Sequence, residues 1–166
     1  MILSVNLDKI VVNASPIISL ARIGLADLLL NLSAELVVPR GVFREISAHP
    51  CIDPAAKWLQ DKETSVVQAV EVPLAISEWN LGKGESEVIA FAQKQEGFVA
   101  AIDDKAAKRC AEASGIRVRG TIALILYAKR KRIIPDAGQV LLKLRANGFR
   151  ISESLLSDAL HLADEV

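Results

Sequence analysis

Asn13 closes the short apolar run KIVV at 9–12, and Ser15 follows two residues later. Asp103 and Asp104 close a second run, FVAAI at 98–102, and Thr121 follows a third, IRVRG at 116–120. Glu85 opens an apolar-faced segment after the glycines of LGKGES, and Glu45 lies within GVFREISAH at 41–49. These are oxygen donors, several of them anionic. Hard divalent cations such as Mg2+ or Mn2+ take such a ligand set. Carboxylates gathered without a cation repel one another; with one, they can generate hydroxide and clamp a phosphodiester. Each residue also has a plain structural use. Ser15, Thr121 and either aspartate are natural helix N-caps, and an acid in a first helical turn, as at Glu85, complements the helix dipole. Asp103 could cap its helix alone, so Asp104 is the harder of the pair to assign to structure.

These residues can meet only if the elements that carry them are ordered in one way. The runs at 9–12, 34–39, 98–102 and 116–120 read as short buried strands, and 65–73 as a strand at an edge. Helical patterns lie between them. Ser15 as cap with Pro16 in first position starts one that stops at Gly24; others follow at 25–32, 41–49, 53–63, 85–95, 105–115 and 121–132. Strands alternating with helices imply parallel pairing through crossovers. In such sheets ligands sit at the carboxyl ends of the strands, where all the residues named above fall. Two further helices, at 136–147 and 152–164, form an extension. The expected architecture is a single domain over 1–166: a three-layer α/β/α sandwich around a central parallel sheet over about 9–134, with a helical pair over about 135–164.

The chain has 166 residues, 51% hydrophobic, with a mean hydropathy of +0.31, which suffices for a substantial core and a buried subunit face. Lys plus Arg and Asp plus Glu are 20 each. Zero net charge argues against a general nucleic-acid coat protein but leaves room for a local basic patch. No run approaches the ~18 apolar residues of a membrane span, and the start MILSVNLDKIVV lacks the basic region of a signal peptide. With only Cys51 and Cys110, no disulfide framework is expected. The chain reads as a soluble cytoplasmic protein without a membrane partner. His49 and Cys51 are too few for zinc, His161 lies among apolar neighbours, and Cys110 reads as a small buried hydrophobe.

Together, KIVVNASPIISLARIG, VVPRGVFREIS, LGKGESEVIAFAQ and AAIDDKAAKRCAEASGIRVRGTIALILYAKRKRIIP resemble the PIN domain family. More narrowly, they resemble its branch of uncharacterised prokaryotic proteins related to VapC-type toxins. The resemblance spans about residues 9–150. It implies an endoribonuclease dependent on Mg2+ or Mn2+, the toxin half of a toxin–antitoxin pair, with RNA as substrate and an antitoxin protein as partner. Carried over by position, the four metal-holding acids fall at Asn13, Glu45, Glu85 (with Glu87 as neighbour) and Asp104 or Asp103. Glu45, Glu85 and Asp104 are then the catalytic carboxylates, and Ser15, Lys105 and Thr121 contact substrate.

Asn13 departs from the usual first Asp. It keeps an oxygen and nearly the same shape but removes a full charge, and metal affinity depends on ligand charge. This predicts either weakened metal-dependent cleavage or a PIN fold retained to bind RNA or protein. The basic run KRKR at 129–132 is either a solvated helix end favoured by the dipole or a phosphate-binding patch, with Lys105, Lys108 and Arg109 one helix earlier as a rim. Leu155, Leu156, Ala159, Leu160 and Ala163 form an apolar stripe suited to internal packing, to a dimer face or to an antitoxin groove. The high apolar fraction points to a homodimer.

Overall fold

The computed structural model describes residues 7–48 and 53–165, so His49 and Cys51 lie outside the described residues. Five short apolar runs form the sheet: β1 (Lys9–Val12), β2 (Glu35–Pro39), β3 (Val67–Gln68), β4 (Val99–Ala101) and β5 (Val118–Arg119). Stiff β-branched side chains such as Ile10, Val11 and Val12 pack well on a pleated surface, and these three are fully buried in the central strand. Every pairing is parallel, in the order β3-β2-β1-β4-β5. Ile10 stands opposite Leu36 on one side and Val99 on the other.

This order has a functional consequence. From β1 the chain builds outward through β2 to β3, then crosses to the other side for β4 and β5. The connections leaving β1 and β4 therefore diverge, which opens a crevice at the carboxyl ends of those strands. Open parallel sheets bind their ligands at such switch points. Asn13 and the Asp103–Asp104 pair stand there.

Among the described residues eleven helices flank the sheet: α1 (Ala14–Arg22), α2 (Leu28–Leu32), α3 (Arg40–Ser47), α4 (Pro54–Gln60), α5 (Glu63–Val66), α6 (Leu74–Ser77), α7 (Lys83–Lys94), α8 (Lys105–Ala113), α9 (Thr121–Arg130), α10 (Ala137–Ala146) and α11 (Glu153–Glu165). The result is the expected α/β sandwich. One apolar cluster runs from Leu7 to Ala163. In α11, Leu156, Ala159 and Ala163 face it, whereas Leu155 is 48% exposed. Gly24 and Gly115 follow α1 and α8 with φ of 74° and 73°, left-handed values that let a helix end without a Cβ clash.

Several boundaries differ from the sequence expectation. Helix α1 begins at Ala14, so Asn13, not Ser15, holds the cap position and Pro16 is third in the helix. The first amides of a helix have no internal partner, so proline is tolerated throughout that turn. Thr121 is likewise the first residue of α9 rather than its cap, which is Gly120. The helix expected at 53–63 divides into α4 and α5, with Asp53 capping α4 by accepting from Ala55 N–H at 2.8 Å. Only Val67 and Gln68 of the run at 65–73 pair, at the sheet edge, because α5 takes the residues before them.

Cys110 is fully buried in α8, and burial pushes its thiol above the ordinary value of 9.0. A raised folded-state pKa leaves stability intact below the unfolded value and removes it as pH climbs toward the folded one. The stability of the wild type in urea is therefore expected to fall as pH rises beyond about 9, and less steeply in Cys110→Ala. Equal slopes for the two proteins would contradict this.

Candidate functional site

The site begins where β1 hands over to α1. Asn13 N–H donates to Ala101 O at 3.0 Å, carrying the β1–β4 ladder one residue past the strand. The Asn13 side chain makes no cap hydrogen bond to α1. Instead its Oδ1 is buried with no partner among the described residues, and the whole residue is only 5% exposed. A buried unpaired acceptor costs about 1–3 kcal/mol. Such atoms usually mark a water or an ion.

Helix α7 supplies the space beside it. A Cβ at Gly84 would stand 3.4 Å from Asn13 Oδ1, 3.1 Å from Glu45 Oε2 and 3.0 Å from Val42 Cγ2. Two oxygens from elements far apart in the chain thus face a common point that only glycine leaves open. Glu85, the next residue, has its Oε2 accepting from Gly82 N–H at 3.0 Å, which ties the carboxylate to the first turn of its own helix.

The two aspartates after β4 divide their work in the opposite sense to the sequence expectation. Asp104 is the N-cap of α8, its Oδ1 accepting from Ala107 N–H at 2.9 Å. Asp103 instead reaches across the switch point. Its Oδ2 accepts from Thr121 Oγ1 at 2.7 Å and Ser15 Oγ at 3.1 Å, and its Oδ1 from Thr121 N–H at 2.8 Å. One carboxylate so joins β4 to the first turns of α1 and α9. Lys108 Nζ and Asp103 Oδ1 both lie within 3.1 Å of the place a Gly120 Cβ would occupy, so a cation stands over the same carboxylate.

Asn13, Ser15, Glu45, Glu85, Asp103, Asp104 and Lys105 all line one cleft of about 610 Å³. Thr121, expected to contact substrate, does not. It is fully buried with its amide and hydroxyl both committed to Asp103. Glu87 is buried elsewhere, against Gly41. The basic run at 129–132 ends α9, a ten-residue helix whose first residue holds Asp103, so it lies roughly 15 Å from the cleft. Lys129 there donates to Pro135 O at 2.8 Å.

The cleft also recruits residues the sequence reading did not name. Ile18, Ser19 and Arg22 share one face of α1 with Ser15 at the i, i+3, i+4, i+7 spacing, a stripe readable from sequence once α1 is known to start there. Phe149 and Arg150 come from the connection between α10 and α11, for which no local signal exists. The lining then holds four carboxylates (Glu45, Glu85, Asp103, Asp104) and four cations (Arg22, Lys105, Lys108, Arg150). A divalent ion at the carboxylates would leave an excess of positive charge, suited to a polyanion.

Among the described residues, no three His, Cys, Asp or Glu side chains gather closely enough to enclose a metal. Mg2+ does not require that: it retains several waters and binds proteins through one or two carboxylates. The unpartnered Asn13 Oδ1, with the Glu45 carboxylate beside it, fits that mode.

A family model described as a PIN domain matches residues 9–165. No curated protein and no solved structure matches the chain.

Removing the Asp103 carboxylate strands two donors of Thr121 in the interior, whereas removing that of Asp104 deletes one helix cap. Asp103→Ala is expected to lose roughly 2–4 kcal/mol in urea unfolding and Asp104→Ala about 1 kcal/mol. The reverse order would refute this division of labour.

Proposed function

The chain belongs to the PIN domain family, and from that premise we propose that it is a Mg2+- or Mn2+-dependent endoribonuclease acting in the cleft at the β1/β4 switch point. The observation that supports this most is that Asn13 Oδ1 and Glu45 Oε2 approach each other beside Gly84, where no Cβ separates them, in the cleft at the carboxyl end of the central strand. In this reading Asn13 and Glu45 hold the ion directly. Glu85 and Asp104, each with one oxygen anchored in a helix turn, line the same cleft and would bond the ion's waters. A bound divalent ion supplies charge stabilisation at a phosphoryl oxygen and a water of lowered pKa. Lys105, Lys108, Arg22 and Arg150 bind the phosphates of the strand, and Ser15 serves Asp103 rather than substrate.

Asn13 favours a second reading in which the cleft binds RNA but cleaves it feebly. An amide presents an oxygen without the charge that draws the ion in, so affinity is lower than at an all-acidic site. The two readings separate in one assay. With Mn2+ the wild type is expected to cut single-stranded RNA, EDTA to stop it, and Glu45→Gln to reduce cutting at least about a hundredfold, or about 2.7 kcal/mol. Cutting that survives EDTA, or is undiminished in Glu45→Gln, would overturn the nuclease reading. Mn2+-dependent RNA binding with no product would favour the second.

Asn13→Asp is expected to tighten Mn2+ about tenfold in calorimetry, which corresponds to about 1.4 kcal/mol. Unchanged or weaker binding would place Asn13 outside the ion's coordination.

A further inference from the structure

Helices α3 and α7 interlock through one glycine each. Gly84 of α7 leaves the space taken by Val42 and Glu45 of α3. Reciprocally, Gly41 of α3 leaves the space taken by Glu87 of α7. A Cβ at Gly41 would stand 2.7 Å from Glu87 Oε2, 2.8 Å from its Cδ and 3.0 Å from Oε1, closer than such atoms approach. In that space Glu87 Oε2 accepts from Gly41 N–H at 2.5 Å, across 46 residues of chain. Gly41 is second in α3, where the amide has no partner within the helix and the dipole favours an anion. Glu87 is only 4% exposed, and a carboxylate is withdrawn from water to this extent only where it is held.

The geometry points to Glu87 as the positioning residue for Glu45, an inference that rests on the reading of the cleft as a metal site. Two residues along a helix turn about 200°, so Glu85 faces the cleft while Glu87 faces α3. Glu45 is one turn beyond Gly41 on α3. Pinning the Gly41 amide fixes both the height and the rotation of α3 on α7, and with them the place of Glu45 Oε2 beside Asn13. The carboxylate of Glu87 itself does not line the cleft. Its influence on Glu45 passes through the backbone of α3, which it holds at Gly41.

The test uses the full chain as wild type, Glu87→Gln and Glu87→Ala, followed by thermal unfolding, backbone amide NMR and Mn2+ calorimetry. Gln keeps the acceptor and loses the charge; Ala loses both. Glu87→Ala is expected to move the amide signals of Val42 and Glu45 and to weaken Mn2+ at least tenfold in protein that is still folded. Glu87→Gln is expected to stay within threefold of wild type. A folded Glu87→Ala with an unmoved Glu45 amide and wild-type affinity would overturn the inference, as would a Gln variant as weak as Ala. If Ala fails to fold, Glu87→Asp carries the test, since it retracts the acceptor by one methylene. A displaced Glu45 amide with at least threefold weaker Mn2+ supports positioning, and wild-type values contradict it. A wild type that binds no Mn2+ would remove the metal-site reading, and the Glu45 amide shift would then decide the placement of α3 by itself.

Discussion

An amide oxygen at the end of the central strand lies buried with no partner among the described residues, and the surroundings of Asn13 make sense as a response to that constraint. The residue cannot turn away, because its backbone N–H continues the β1–β4 ladder. Its side chain is not spent on capping α1. Gly84 keeps the space in front of the oxygen open, and Glu45 Oε2 borders the same space. A buried acceptor left unpaired is a standing cost of about 1–3 kcal/mol. That cost is removed when a water or a hydrated cation reaches the oxygen from the cleft that Asn13 and Glu45 line.

The carboxylates around this point carry unequal shares of structure and chemistry. Asp103 is the most committed, with three hydrogen bonds from Ser15 and Thr121 that knit α1, β4 and α9 together. Asp104 and Glu85 each give one oxygen to a helix turn. Glu45 is delivered by a helix whose own first turn is held from α7 by Glu87. Ligands tied down by a second partner keep their geometry before the ion arrives, which is how metal sites avoid reorganisation. The same economy would leave few carboxylates free to crowd the proposed ion, which would then draw much of its coordination from water.

Much of this was legible in the sequence, because it follows from local rules. Apolar runs separated by helical patterns made the parallel sheet readable, and a parallel sheet placed Asn13, Asp103 and Asp104 at one end. The failures have physical causes. Cap and first-turn positions favour the same residue types, so Ser15 and Thr121 passed for caps when both are donors to Asp103. Adjacent residues leaving a strand point to different sides, and nothing local says which of Asp103 and Asp104 turns toward α9. Gly41 and Gly84 matter only because two helices cross at them, a relation between residues more than 40 apart. Conversely, the most conspicuous charge run, at 129–132, stands at the wrong end of α9, and the cleft's cations are single residues drawn from α1, α8 and the α10–α11 connection.

The proposed chemistry turns on whether a divalent ion binds beside Asn13 and Glu45, in the cleft they line. Paramagnetic broadening of backbone amides by substoichiometric Mn2+ examines it most directly, because the effect falls off steeply with distance from the ion. The amide signals of Asn13, Gly84 and Glu45 are expected to vanish first, with those of α10 and the far end of α9 last. Broadening that begins elsewhere on the surface, or that spreads evenly over the chain, would contradict it.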